Sequence, residues 1–278
     1  MDNRIRQITV HNGQLIPAQA EVWITVVPEY QTATTEVRGR LMGPHCSYAN
    51  TVEVAYSLRP PPPSHTLSEK SGITMRAVIP EASLWEPQCP FLYQGLIELW
   101  QDGQRCDRMT LSHGLRYFLI SERGLRLNGR TLMLHGRLVS ACSDEDALTL
   151  RQTGCNLLIV PVEADTLPVW ERADRLGFFV LGRLKDDSEE TLRFLPMLSR
   201  HTSCLGWLVE KGKHPPLDLL PSRVLLGLVC EDDSPQLPLW TVHFLFGSAE
   251  LANLGKPLLV TGDGPFHLEG CPILGNVL

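Results

Sequence analysis

A β-sandwich followed by an α/β domain is the fold class that this 278-residue sequence predicts. Three observations predict it. Apolar and polar residues alternate as far as Tyr117, and strand and helix patterns then take turns to the C-terminus. A composition of 43% hydrophobic and 20% charged residues is sufficient for a substantial core. The change of pattern divides the chain into residues 1–117 and 118–278.

In the first segment the apolar positions fall two apart: Ile8 and Val10; Val22, Ile24 and Val26; Val52, Val54 and Tyr56; Ile97 and Leu99. That period places one side of each run against a core. Turn formers such as Gly43-Pro44 and Pro60 to Pro63 separate the runs, giving about seven short antiparallel strands. The proline run reads as a connecting loop. A polyproline ligand would want basic neighbours, and only Arg59 flanks it.

The second segment opens with a strand at residues 131–134. Ser143 then starts a helix with Glu145 and Asp146 in its first turn, and a strand follows at 156–160. Asp165 caps a helix over 167–176, which Gly177 ends, and 178–181 is the next strand. Residues 189–199 read as a helix, 204–209 and 224–229 as strands, 242–254 as a helix ended by Gly255, and 258–261 as a strand. Such alternation predicts parallel strands with crossover helices. Six or seven strands can be counted in a segment short of the roughly 250 residues of a typical (β/α) barrel. Either the barrel is trimmed and incomplete, or the sheet is open and doubly wound.

Several function classes are disfavoured. A net charge of -6 does not invite nucleic acid or an anionic membrane surface. The eight cysteines show no CxxC spacing and read as buried thiols. Nine histidines, among them His113, His135, His201 and His214, lie in separate segments without metal-ligand spacing. There is no nucleophile elbow, phosphate loop or dinucleotide fingerprint, so no metal and no cofactor are expected. The N-terminus lacks the sections of a secretory signal, and no apolar run reaches the length of a membrane span. A soluble, cytoplasmic protein is the expectation.

Four stretches carry a resemblance to glycoside hydrolase family 2, which includes β-galactosidases, β-glucuronidases and β-mannosidases. Leu84-Trp85-Glu86-Pro87 with Pro90, Leu92 and Tyr93 resembles the family's "LW-x-P-x-x-P-x-LY". Gly114-Leu115-Arg116 and then Leu127-Asn128-Gly129 with Leu134 and Gly136 resemble the "GFR" and "LNG" segments leading into the barrel. Residues 173–180, beginning Ala173-Asp174-Arg175-Leu176-Gly177, are similar to the "CD-x-LG" end of a helix and strand three. Finally, His201-Thr202-Ser203 through Trp207 matches "HPS…WS-x-GNE", and Lys256-Pro257 through Gly264 matches "KP…TE-x-G". The resemblance implies an immunoglobulin-like β-sandwich over 1–117 and a shortened (β/α) TIM-type barrel over 118–278.

It also implies where catalysis would reside. Counting from His201 and Trp207, the family's acid/base glutamate falls on Gly212. Counting from Lys256 and Pro257, its nucleophile falls on Gly262. Retaining hydrolysis needs one carboxylic acid to protonate the leaving oxygen and a second carboxylate to form the glycosyl intermediate. Glycine can do neither, so a noncatalytic homologue is the expectation. Glu210 and Asp263 are the nearest substitutes, and an active β-glycosidase using them, or a site completed by a partner chain, is the alternative. A one-residue shift at a strand end turns a side chain to the other face, which counts against Asp263, and a two-residue shift moves it by roughly 6 to 7 Å, which counts against Glu210.

The family's polar cup is also replaced. Gly136-Arg137-Leu138-Val139 stands after strand one, Val160-Pro161-Val162-Glu163-Ala164 after strand two and Gly182-Arg183 after strand three. Trp170, Trp207 and Trp240 could stack on a sugar, with Trp207 the best placed, although core packing is the competing reading. No counterpart of the family's N-terminal jelly-roll domain is expected before the sandwich. Exposed apolar area, and hence self-association or a protein partner, is the corresponding expectation, alongside weak carbohydrate binding.

Overall fold

The computed structural model describes residues 3–63, 72–121, 124–186, 188–210, 224–230, 242–263 and 271–278. They form two compact units: Met1–Trp85 with Cys89–Leu115, and Glu86–Gln88 with Arg116–Leu278.

Among its described residues the first unit contains seven strands: β1 (Ile5–Ile16), β2 (Gln19–Pro28), β3 (Thr35–His45), β4 (Val54–Ser57), β5 (Ile73–Pro80), β6 (Leu92–Gln101) and β7 (Gln104–His113). They pair as two antiparallel sheets, ordered β1-β2-β5 and β4-β3-β6-β7. The alternating residues explain why the sheets stack. Val22, Ile24 and Val26 from the first sheet share one buried cluster with Val37, Leu41, Ile97 and Leu99 from the second. Asp102 and Gly103 both have positive φ, 51° and 76°, which is what a two-residue hairpin between β6 and β7 requires.

The second unit begins with a small antiparallel sheet of β8 (Phe118–Ser121), β9 (Gly124–Leu127) and β10 (Arg130–Leu132). Eight parallel strands follow: β11 (Leu134–Leu138), β12 (Leu157–Pro161), β13 (Phe179–Leu184), β14 (Cys204–Val209), β15 (Leu225–Cys230), β16 (Phe244–Gly247), β17 (Leu258–Thr261) and β18 (Ile273–Val277). They close into a barrel in sequence order, β18 pairing back onto β11. The open-sheet alternative and the incomplete barrel are therefore both corrected: the strand set is complete and the connections are short. Among the described residues the α-helices are α1 (Asp144–Gln152), α2 (Leu167–Leu176) and two single turns, α3 (Glu189–Leu192) and α4 (Leu195–Leu198).

Local chemistry accounts for several boundaries. Ser143 accepts from the Asp146 N–H while Asp146 accepts from the Ser143 N–H, a reciprocal cap that starts α1. Ser143→Ala is expected to cost about 1 kcal/mol of barrel-unit stability in urea unfolding. Gly177 ends α2 with φ 77°, as the sequence predicts, but the N-cap of α2 is Thr166, and Asp165 lies inside a preceding 3-10 turn rather than capping the helix. The single helix expected over 189–199 is broken because Pro196, near the start of α4, has no N–H for the preceding turn. The expected strand at 131–134 divides between β10, which is antiparallel, and β11, the first barrel strand. The expected helix at 242–254 is β16 followed by a 3-10 segment, Ala249–Leu254. Phe244 through Gly247 are buried without alternation, because a barrel strand is covered on both faces.

The ladder register sorts the barrel side chains. Leu158, Val160, Trp207, Val209, Leu226, Leu228, Leu245, Leu258 and Val260 lie on one face and cluster with Trp170 and Ala173 of α2, so this face is the outer one. The opposite residues, including Ile159, Leu181, Leu208, Phe244 and Leu259, fill the barrel interior. A Cβ on Gly227 would collide with Phe244, so glycine is what admits that ring.

Candidate functional site

In a parallel barrel the side chains that can do chemistry project from the C-terminal ends of the strands. β14 is the fourth barrel strand and β17 the seventh. Glu210 immediately follows β14, and Gly262 and Asp263 immediately follow β17. Gly212, Lys211, Gly264, His214 and Trp240 lie outside the described residues.

Gly262 is exposed and has φ 79°. Its N–H donates to Val277 O at 2.8 Å, and its carbonyl accepts from Asn276 Nδ2 at 3.3 Å. Asn276 is itself held, with His135 Nδ1 2.9 Å from its Oδ1. A Cβ at Gly262 would meet nothing within 4 Å, so the preference for glycine there is conformational and not steric. Asp263 is also exposed.

Glu210 is engaged by Arg183, the last inward-facing residue of β13. The guanidinium donates from Nε at 3.2 Å and from Nη2 at 2.9 Å to the same carboxylate oxygen, Oε1. Among the described inward-facing residues within the eight strands only Arg183 and Thr261 are polar, the remainder being aliphatic, phenylalanine, proline or glycine, and Glu210 follows just beyond β14. A second ion pair, Lys185 to Glu163 at 2.7 Å, is exposed at the ends of neighbouring strands. The described part of the mouth thus carries paired charges and an apolar lining.

Trp207 is on the outer face and has 0% exposure. Its ring centroid lies 5.7 Å from that of Trp170, which is equally buried on α2. Gly182 makes the room: a Cβ there would sit 2.5 Å from Trp207 Cζ3. Neither tryptophan has a free face, so the structure places both in the packing between barrel and helix rather than in a sugar site. Gly182→Ala is expected to destabilise the barrel unit by about 1–3 kcal/mol through overpacking, measured by urea unfolding.

A buried polar cluster at the opposite end of β14 was not foreseen as a unit. Asp174 Oδ2 lies 2.7 Å from His201 Nδ1, and Oδ1 accepts from the Ser203 N–H at 2.6 Å. Arg116 donates from Nε to Thr202 O and from Nη2 to Cys204 O, and its guanidinium lies over the Phe118 ring at 4.8 Å. Burial pulls the Arg116 pKa down to about 10, opposed by the charges of Cys204 and Asp174. Burial likewise pulls His201 down, but the hydrogen bond and charge of Asp174, with Glu171 adding and Arg200 opposing, leave its pKa above the ordinary value. The signal was present in the sequence, since Arg116, Asp174 and His201 each belong to a stretch that carries the family resemblance. Those stretches build the foot of the barrel, remote in the strand from its mouth.

No group of three or more metal-ligating side chains exists among the described residues. His113 lies 2.7 Å from Asn12 Oδ1, His135 and His201 have the partners given above, and none of the three shares a cluster. Among the described residues no helix is long and apolar enough to cross a membrane.

The two-sheet antiparallel unit and the closed eight-stranded parallel barrel are a combination for which solved structures of similar fold exist. The chain is similar in fold to a glycosyl hydrolase family 2 member from Bacteroides cellulosilyticus, with TM-score 0.69 and 15% identity, covering 99% of this chain and 44% of that one. It is similar to a β-glycosidase from Bacteroides vulgatus, with TM-score 0.71 and 14% identity over 95% of this chain and 39% of the other. It also resembles Bifidobacterium dentium β-glucuronidase complexed with coumarin-3-O-glucuronide, with TM-score 0.67 and 14% identity over 99% of this chain and 56% of that one. In sequence it is 31% identical over 132 residues to a Bacteroides fragilis β-glucuronidase, which is 41% of this chain and 19% of the relative. No family profile matches the chain. The protein therefore shares the fold of the family 2 glycosidases, and it spans only about half or less of the length of most of these relatives.

Proposed function

We propose that this chain is a noncatalytic homologue of the family 2 glycosidases, a pseudo-glycosidase acting as an interaction or weak carbohydrate-binding module. On this reading the seven-stranded unit is the family's immunoglobulin-like domain and the barrel is its catalytic domain with reduced connections. The observation that carries it is Gly262: the residue after the seventh barrel strand, where the family's nucleophile would stand, has no side chain and a left-handed backbone.

Two further features support the reading. The Glu210 carboxylate is engaged by Arg183, whose guanidinium holds its Oε1 from two nitrogens. The inward-facing residues at the described mouth offer few groups to hold sugar hydroxyls. The shared fold makes a carbohydrate the first ligand class to test.

Hydrolysis of aryl β-glucuronides, β-galactosides and β-mannosides is the direct experiment. No turnover above background is expected from the chain or from Gly262→Glu, since a glutamate forced into that backbone would not by itself rebuild an acid/base partner. Turnover abolished by Glu210→Gln or Asp263→Asn would overturn the proposal in favour of an active β-glycosidase with displaced carboxylates. Activity appearing only on adding a second chain would do so in favour of a shared site.

A further inference from the structure

The outward face of the β4-β3-β6-β7 sheet carries more cations than its neighbours neutralise. The antiparallel register places Arg38 opposite Glu98, Glu98 opposite Arg108, and Trp100 opposite both Glu36 and Arg105, all pointing away from the buried Val37, Ile97 and Leu99. Two of the arginines are matched. Arg38 pairs with Glu36 at 2.7 Å and lies 4.2 Å over the Trp100 ring, and Arg105 pairs with Glu98 at 3.0 Å. Arg40 and Arg108 complete the set without an ion pair within 4 Å among the described residues. Four guanidinium groups thus face two carboxylates, in a protein whose overall charge is -6.

The same face has an apolar centre. Leu96 is 44% exposed, stands opposite Arg40 by the continued register, and is diagonal to Arg108. Arg40 and Arg108 are two strands and one alternate residue apart, which places their Cα atoms about 12 Å from each other. Two carboxylates carried on one chain can each meet one of the two guanidinium groups. The charge lies on the face of the sheet, and an extended peptide ordinarily docks along an edge, where main-chain hydrogen bonds are available.

We propose that this face binds an acidic oligosaccharide, with ring carboxylates paired to Arg40 and Arg108 and an apolar sugar face resting on Leu96. The inference rests on the carbohydrate-related reading above, but it moves the binding from the barrel mouth to the sandwich.

The test is calorimetric titration of the full chain with an oligogalacturonate hexamer, with neutral maltohexaose and poly-glutamate as comparison probes. Oligogalacturonate binding is expected to weaken about tenfold or more in the Arg40→Ala/Arg108→Ala double variant, and to fall as salt is raised from about 50 to about 500 mM. The Arg40→Lys/Arg108→Lys variant should retain most of the affinity, and circular dichroism should show both doubles folded. No binding, equal binding by the alanine double, or tighter binding of poly-glutamate would overturn the proposal. Aryl glycoside turnover would sink the noncatalytic reading while leaving this binding result unaffected, so the two failures are distinguishable.

Discussion

Asp174→Ala is expected to destabilise the barrel unit by about 3–5 kcal/mol, the usual cost of leaving one partner of a buried pair alone. The aspartate is 7% exposed and uses both oxygens, one on His201 and one on the Ser203 N–H, so its loss strands two buried polar groups together. Urea unfolding followed by tryptophan fluorescence measures it, because Trp170 lies 6.0 Å from the His201 ring. A loss below about 1 kcal/mol, the scale of an ordinary surface change, would show that the cluster is not a structural support.

The same pair makes stability depend on pH in a stated direction. The His201 pKa is raised in the folded state, so its proton binds the native barrel more tightly than the unfolded chain. The stabilisation is fully present below the unfolded value of about 6.5 and is lost as pH rises through the higher folded value. Asp174→Asn is expected to remove that slope while keeping the packing. A slope that persists in the variant would assign it to another group.

Trp207→Ala has the second large effect, about 3–5 kcal/mol, as expected for deleting a fully buried aromatic ring from a core. Trp207 fills the space between Gly182 on the neighbouring strand and Trp170 on α2, so the cavity would open where the helix rests on the barrel. A sugar-stacking residue would behave differently, with small stability loss and a selective loss of retention on immobilised glycans. Measuring both on the folded fraction separates the two roles.

Much of the fold was legible because the signals are local. Ser143 and Asp146 announce a helix start by side chains three residues apart, and Gly177 announces a helix end by tolerating positive φ. Alternation in β2 and β6 reveals strands with one face toward a core. Two of the barrel strands that were missed or misread, β16 and β18, are four and five residues long and buried throughout, so neither period two nor period 3.6 marks them. Closure of the barrel depends on β18 reaching β11, a pairing between residues such as Leu134 and Gly275 that no local pattern encodes.

The candidate site divides in the same way. The sequence by itself determined that glycine occupies the position counted from Lys256 and Pro257, and that the resemblance lies in stretches around Arg116, Asp174 and His201. Only the tertiary structure decided that those three stretches meet as a buried support, that Arg183 takes the Glu210 carboxylate, and that Trp207 faces α2 instead of the barrel interior. The physical reason is one of range. Backbone preference and periodicity act over a few residues, whereas a charge finds its partner and a ring its cavity across strands that only folding brings together.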